Sequence, residues 1–263
     1  MRTGLLSSML LLCLGFTAAT AHAGETVIYR DGETELEGYW ASPASGCKSD
    51  ADVPVVMIVH QWKGLGAYEK ERADKIAALC YHAFAVDMYG KGIRPQSTDE
   101  AGAQAGKYKK DTSLARSRMK AALDFVREKV KTESPRVAAM GYCFGGTMAL
   151  ELARSGADLE GAISFHGGLA TPDLVTAPGI IRAPILVHNG AADPHVKHEE
   201  VDAFMREMDA ADADWQLVNY ADAVHSFTEK AAGNDPSKGA AYNEKADLRS
   251  WSYTVDFLEE IFK

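Results

Sequence analysis

The chain has 263 residues, of which 46% are hydrophobic and 25% are charged, and its formal net charge is −9 at pH 7. This composition is that of a globular protein able to bury a large core. The acidic balance argues against a nucleic-acid-binding protein and against one attracted to anionic membranes. Strand-like and helix-like segments alternate without an internal repeat or a dinucleotide-binding motif, so we expect a single α/β domain.

The first residues have the pattern of a secretory signal peptide. Arg2 gives a positive start, residues 5–16 are apolar, and an A-x-A cleavage site ends at Ala23. The apolar stretch is too short to span a membrane as a mature helix. We therefore predict that residues 1–23 are removed and that residues 24–263 form the mature domain. The protein is then expected to be periplasmic or secreted, without stable membrane insertion.

Export makes the cysteine count informative. Removal of the signal takes Cys13 away and leaves three cysteines, and an odd number in an oxidising compartment suggests one pair and one free thiol. We predict a disulfide between Cys47 and Cys80, with Cys143 free. The alternative is that all three are unpaired and that Cys80 is a small buried residue.

The hydrophobic pattern predicts the elements in chain order. An edge hairpin of residues 25–30 and 34–42 turns at Asp31-Gly32, and a buried strand covers residues 53–59. The remaining strands are expected at residues 84–87, 137–140, 161–165, 184–188 and 215–220, the helices at residues 69–79, 114–130, 147–153, 201–208 and 248–262, and a loop at residues 88–106. This order predicts a mostly parallel central sheet with helices on both faces.

The hexapeptide G-Y-C-F-G-G at residues 141–146 joins one predicted strand to the following helix. A nucleophile on such a sharp turn needs small neighbours, and Gly141 and Gly145 lie two residues on either side of Cys143. The turn would aim the sulfur at a cleft at the carboxyl edge of the sheet. The alternative is a glycine-rich turn around a buried cysteine with no catalytic role.

A cysteine nucleophile needs a base and an acid that orients this base. In α/β-hydrolases they follow the nucleophile in the order acid, then histidine, each on a loop after a late strand. Asp193 and His225 fill these positions. His195 is the nearest rival base, but it lies on the wrong loop for this order. Alone, either predicted partner would be an ordinary loop residue.

An oxyanion hole needs two backbone N–H groups, one from the residue after the nucleophile and one from the loop after an early strand. Phe144 and Trp62 meet these requirements. The Trp62 side chain could pack in the wall of the site at the same time, because the donor is its main chain.

The hexapeptide, D-M-Y-G at residues 87–90, G-A-A-D-P at residues 190–194 and H-S-F at residues 225–227 together resemble the dienelactone hydrolase family. The likeness runs from about residue 53 to the C-terminal helix. It implies an α/β-hydrolase fold and a Cys-Asp-His hydrolase that cleaves small esters or lactones through an acyl-thioester. It implies no metal and no cofactor.

Some positions depart from the family pattern. Gln61 stands where the family has a glutamate that helps to activate the thiol, so we expect the thiol to depend more on the histidine. Lys91 and Glu229 stand where the family has arginines that grip a substrate carboxylate, and His166 stands where we expect a tyrosine. The expected substrate-binding residues are Gln61, Tyr89, Lys91 and His166. We expect a neutral or larger ester rather than dienelactone itself.

The leading hypothesis is thus a thiol hydrolase of esters or lactones. A catalytically silent protein that binds a small molecule on the same scaffold is the alternative. A redox thiol protein ranks last, because the sequence has no C-x-x-C pair. The sequence makes no prediction of the oligomeric state.

Overall fold

The computed structural model describes residues 24–43, 46–47 and 53–263, so the predicted signal peptide, residues 1–23, lies outside the described residues. The strands are β1 (Glu25–Asp31), β2 (Thr34–Ala41), β3 (Val55–Val59), β4 (His82–Val86), β5 (Val137–Tyr142), β6 (Gly161–Phe165), β7 (Ile185–Gly190) and β8 (Trp215–Tyr220). The α-helices are α1 (Ala67–Ala78), α2 (Thr98–Lys110), α3 (Thr112–Val130), α4 (Phe144–Arg154), α5 (His198–Ala210) and α6 (Glu244–Ile261).

The described strands form one sheet in the order β1-β2-β4-β3-β5-β6-β7-β8. Strands β1 and β2 form an antiparallel hairpin, and β2 also pairs antiparallel with β4. All pairs from β4 to β8 are parallel. Central strands buried on both faces explain why β3 and β5 are almost entirely apolar. The predicted α/β-hydrolase fold with a mostly parallel sheet is confirmed.

Alternate side chains of β3 enter two different layers of the core. Val55, Met57 and Val59 pack on the side covered by α3 and α4. Val56 and Ile58 pack on the opposite side, which α1 and α6 cover. Helices therefore cover both faces of the sheet, as predicted. None of the helices within the described ranges is long and apolar enough to cross a membrane.

The segment predicted as a loop over residues 88–106 contains the start of α2, and this prediction was wrong. The side chain of Ser97 accepts the N–H of Glu100, and the Glu100 carboxylate accepts the N–H of Ser97, which caps the helix. Ala101, Ala105 and Tyr108 bury one face of it. The two alanines of this face, together with Gly102 and Gly106, hide the helical period in the sequence.

Candidate active site

The predicted catalytic residues lie on loops that leave the same edge of the sheet. Cys143 follows β5, Asp193 follows β7 and His225 follows β8. Trp62 lies on the loop after β3, and His166 directly follows β6. Because these strands are parallel, their carboxyl ends meet at one edge, where open α/β sheets bind ligands.

The turn at residues 141–146, called the nucleophile turn for the predicted role of Cys143, is held by close main-chain packing. Cys143 has φ 54° and ψ −118°, a conformation that an L-residue adopts only under constraint. A Cβ on Gly145 would overlap the carbonyl groups of Val59 and His60, and one on Gly141 would overlap the carbonyl of Gly145. Only glycine therefore lets α4 approach the sheet closely enough to form the turn.

The structure brings Cys143, His225 and Asp193 into one hydrogen-bonded line. Nε2 of His225 lies 3.0 Å from Sγ of Cys143, and its Nδ1 lies 2.8 Å from Oδ2 of Asp193. The other carboxylate oxygen of the buried Asp193 accepts the backbone N–H of His195 at 2.8 Å. The ring of His195 packs edge-on against that of His225, 5.0 Å between centroids. The rival histidine thus neighbours the predicted base, and no hydrogen bond joins its ring to the thiol.

The thiol and the imidazole shift each other's proton affinity. Burial opposes ionisation of Cys143, but the hydrogen bond and the charge of His225 outweigh it and lower the pKa of the thiol. Burial likewise opposes the charged imidazole, but the hydrogen bonds to Asp193 and Cys143 raise the pKa of His225 to about 10. Between these two pKa values the pair is a thiolate beside an imidazolium, and it titrates as a unit.

Two further groups favour the thiolate, and only the first of them was predicted from the sequence. The backbone N–H of Phe144 hydrogen-bonds the sulfur, as expected of an oxyanion donor that follows the nucleophile. The ammonium of Lys109, an exposed residue of α2, also lowers the pKa of the thiol by its charge. Lys109 was missed because no helix was predicted at its position, where α2 ends.

The loop after β3 is fixed by two buried side chains. Glu69 accepts the N–H of Gln61 at 3.2 Å and that of Gly66 at 2.8 Å, and burial raises its pKa. The ring of His60 donates from Nδ1 to the carbonyl of Gln61 and accepts the N–H of Met88 at 3.1 Å. Burial lowers the pKa of His60 to about 4, so its ring is neutral. These contacts orient the backbone that leads to Trp62.

Gln61 contacts Glu229 rather than the sulfur. Its Nε2 donates to Oε2 of Glu229 at 2.8 Å, which joins the loop after β3 to the loop that carries His225. Both residues line a cleft of about 1060 Å³ together with Trp62 and Ser226. Glu229 therefore presents a carboxylate at the wall of this cleft.

Three of the expected substrate-binding residues have other contacts. Tyr89 is buried, and its hydroxyl donates to the carbonyl of Trp62 at 2.9 Å, so it supports the loop from behind. The ammonium of Lys91 forms an exposed ion pair with Glu35 at 2.6 Å. His166 is completely buried with both ring nitrogens bonded to the protein. Each of these three residues has its polar groups bonded within the protein, and their expected roles in substrate binding stay predictions.

Cys47 and Cys80 form a disulfide, and Cys143 is a free thiol. The disulfide links the segment before β3 to the end of α1, away from the nucleophile turn. Within the described ranges, no group of three or more His, Cys, Asp or Glu side chains is arranged to hold a metal ion.

The fold and the geometry of the site first define a class. A mostly parallel sheet with a cysteine on a sharp strand-to-helix turn, followed by an aspartate and a histidine on later loops, is the arrangement of an α/β-hydrolase. The family model of the dienelactone hydrolase family matches residues 36–262. The chain therefore belongs to the dienelactone hydrolase family, which confirms the resemblance of its motifs. It is a hydrolase of the lactone or ester type.

Solved structures and curated proteins agree with this membership. The solved structure named m3DLH is 35% identical, covers 91% of this chain and 98% of its own, and has a TM-score of 0.85. A dienelactone hydrolase-like promiscuous phosphotriesterase, P91, from metagenomic libraries is also 35% identical over 91% of this chain and 98% of its own, with a TM-score of 0.83. A protein of Aquifex aeolicus provisionally named a carboxymethylenebutenolidase is 26% identical over 91% of this chain and 100% of its own.

Proposed function

We propose that this protein hydrolyses carboxylic esters or lactones with Cys143 as a covalent nucleophile. The thiolate attacks the carbonyl carbon, and the N–H groups of Phe144 and Trp62 hold the oxyanion. The imidazolium of His225 then protonates the departing alkoxide, so the alcohol leaves and an acyl-thioester remains. Neutral His225 next takes a proton from water, whose oxygen attacks the thioester. Release of the acid breaks the carbon–sulfur bond and restores the thiolate–imidazolium pair.

One observation carries this proposal. The same imidazole lies 3.0 Å from Sγ of Cys143 through Nε2 and 2.8 Å from Asp193 through Nδ1. These are hydrogen-bonding distances for a base that takes the thiol proton and for an acid that fixes the tautomer of this base. The free thiol also lies on a turn whose following N–H faces it.

The charges around the cleft favour a neutral acyl group. Lys91 is engaged by Glu35, and Glu229 would repel a carboxylate placed beside Gln61. A neutral aryl or alkyl ester is therefore the proposed substrate class.

Phosphotriesters are a second candidate substrate class. One similar structure, 35% identical over 91% of this chain, is named a promiscuous phosphotriesterase. A neutral phosphotriester suits the same charge pattern, since it brings no carboxylate to Glu229. The attack would form a sulfur–phosphorus bond and expel an alcohol protonated by His225.

A substrate panel tests both classes on purified protein. It contains neutral aryl esters, dienelactone and a neutral aryl phosphotriester, assayed with the wild type, Cys143→Ser and Cys143→Ala. We expect the neutral esters to be cleaved best, and kcat/KM to fall by roughly 10⁴-fold or more in both variants. Rapid quenching should trap an acyl group on Cys143, seen as a mass increase of its peptide.

Two results would contradict the proposal. Unchanged hydrolysis in Cys143→Ala would remove the covalent mechanism. A wild-type protein that binds esters without cleaving or labelling would instead be the silent binding protein considered from the sequence. A strong preference for dienelactone would overturn only the assignment of a neutral substrate.

We also propose that the protein is exported. The signal-peptide pattern of residues 1–23 supports this, and so does the Cys47–Cys80 disulfide, because such bonds persist mainly in oxidising compartments. Mass spectrometry of the protein recovered from its natural host should show a chain that starts at residue 24. An intact N-terminus at Met1 would contradict export by this signal.

A further inference from the structure

His166 lies between the nucleophile and the loop of the catalytic histidine. It directly follows β6, has a φ of 40° and is completely buried. Its Nδ1 accepts the backbone N–H of Cys143 at 3.2 Å, a hydrogen bond that this N–H shares with the carbonyl of Phe165 at 2.9 Å. The ring thus contacts the main chain of the residue that carries the reactive sulfur.

The hydrogen bonds fix the tautomer of this ring. A backbone N–H can only donate, so Nδ1 of His166 carries no hydrogen and Nε2 carries the proton. Nε2 lies 3.0 Å from Oγ1 of Thr228, which accepts this hydrogen. Burial holds the pKa of His166 well below its usual value, so the ring stays neutral. Both nitrogens are therefore committed to defined partners.

Thr228 is itself held from several sides. It lies three residues after His225 and is 1% exposed. Its Oγ1 lies 2.7 Å from the hydroxyl of Tyr68, and its carbonyl accepts a hydrogen bond from Arg72 at 2.8 Å. Arg72 is paired in turn with Asp247 of α6 at 3.0 Å. The segment that bears the catalytic imidazole is thus anchored through one threonine.

We propose that His166 is a positioning residue that sets the separation between the sulfur of Cys143 and the imidazole of His225. It joins the backbone of the first to the loop of the second through Thr228. Loss of this link lets the two reacting groups drift apart, which weakens the thiolate–imidazolium pair. This inference rests on the proposed function for its kinetic consequence, but its effect on the thiol is measurable without any substrate.

The test compares Thr228→Val with Thr228→Ser and adds His166→Asn. Valine has nearly the shape of threonine but offers no acceptor to Nε2 of His166, whereas serine keeps the hydroxyl. The thiolate is titrated by its ultraviolet absorbance and by the pH dependence of Cys143 alkylation with iodoacetamide. We expect Thr228→Val and His166→Asn to move the titration to higher pH and to lower kcat roughly 10- to 100-fold with little change in KM. Thr228→Ser should behave like the wild type.

A matched control separates positioning from general packing. His188 is also completely buried, and its ring bonds Thr254 at 3.0 Å and Tyr220 at 2.9 Å, without contacting the triad. We expect His188→Asn to lower the thermal midpoint without moving the thiolate titration. In the double variant of His166→Asn and Thr228→Val, the shift should be no larger than in the worse single variant, because both break one link.

The outcomes are distinguishable. An unchanged thiolate titration in folded Thr228→Val and His166→Asn would overturn the positioning role, whatever happens to stability. Equal shifts in Thr228→Ser and Thr228→Val would also overturn it, because the hydroxyl would then be irrelevant. A shifted titration in a protein that hydrolyses no ester would support the positioning role and contradict the proposed function.

Discussion

The two loops that bring the sulfur and the imidazole together are fixed by different kinds of contact. The nucleophile turn depends on close approach of main chains, because Gly141 and Gly145 have no room for a Cβ. The loop of His225 depends on hydrogen bonds to distant segments. The N–H of His225 donates to the carbonyl of Gly239 at 3.2 Å, and its own carbonyl accepts the N–H of Ala241 at 3.0 Å.

The two kinds of contact predict different effects of amino-acid substitution. Overlap with a backbone atom cannot be relieved by a side-chain rotation, so changes at the turn act on the folded state as a whole. A hydrogen-bonded loop keeps its fold when one partner is exchanged, but the reacting atoms lose their alignment. We therefore expect substitutions at the turn to act on stability and substitutions around the imidazole to act on rate.

The largest expected effect on stability is at Gly145. Its replacement by alanine forces a Cβ into the carbonyls of Val59 and His60, and we expect a loss of about 3 kcal/mol in the free energy of unfolding. Gly102 is the matched control, because it lies exposed in α2 with no atom near its missing Cβ. Gly102→Ala should raise stability by up to about 1 kcal/mol. Urea unfolding of both variants measures this, and equal stabilities would contradict steric control of the turn.

Substitutions around the imidazole of His225 should lower the reaction rate more than the stability. Asp193→Asn keeps the shape of the side chain, but its amide can donate to Nδ1 of His225, which then places the hydrogen on Nε2, facing the thiol. We expect kcat/KM to fall by roughly 10³- to 10⁴-fold, as for other triads with this substitution, while urea unfolding changes little. Iodoacetamide alkylation of Cys143 at neutral pH should slow as well.

A rate near that of the wild type in Asp193→Asn would show that the tautomer does not depend on this carboxylate. His195→Ala is a useful control. Its backbone N–H to Asp193 remains, and its ring only packs against that of His225. We expect this variant to keep the thiolate titration of the wild type.

The smallest effect concerns the contact between the two loops. Gln61→Glu replaces the 2.8 Å hydrogen bond to Glu229 by two facing carboxylates, and we expect a loss of ~1 kcal/mol in unfolding free energy at low salt. High salt should reduce this loss because it screens the repulsion. The exchange of both residues, Gln61→Glu with Glu229→Gln, should restore the stability. Destabilisation of the same size in the exchanged pair would show that the contact itself matters little.

Much of the fold was predictable because buried parallel strands are short apolar runs. The alternation of such runs with amphipathic segments indicated a mostly parallel sheet with helices on both faces, and the strand ends indicated where a site would lie. Helix α2 was missed because its buried face consists of only Ala101, Ala105 and Tyr108, with Gly102 and Gly106 between them in the sequence. Its cap, Ser97 with Glu100, was a readable signal in the sequence.

The positions of the predicted catalytic residues could be read from the sequence because each lies on a loop that follows a predicted strand. Cys143 directly follows β5, and Asp193 and His225 lie on the loops after β7 and β8. The supporting contacts were not predictable, since the partners Thr228 and His166 are 62 residues apart and Gln61 and Glu229 are 168 apart. No local pattern predicts which distant polar groups meet. Glu69 is an exception, because its spacing from Gly66 follows a helix-capping pattern.

The disulfide between Cys47 and Cys80 affects how oxidation of the free thiol of Cys143 can be reversed. If the proposed signal peptide is removed together with Cys13, the sequence has no further cysteine, and Cys143 then has no thiol on its own chain with which to exchange. A sulfenic acid formed at Cys143 by peroxide returns to the thiol when a thiol condenses with it and a second thiol reduces the resulting disulfide. Reduction of an oxidised Cys143 therefore requires a thiol from another molecule. In an oxidising medium, the concentration of that thiol limits how long each protein molecule keeps Cys143 reduced.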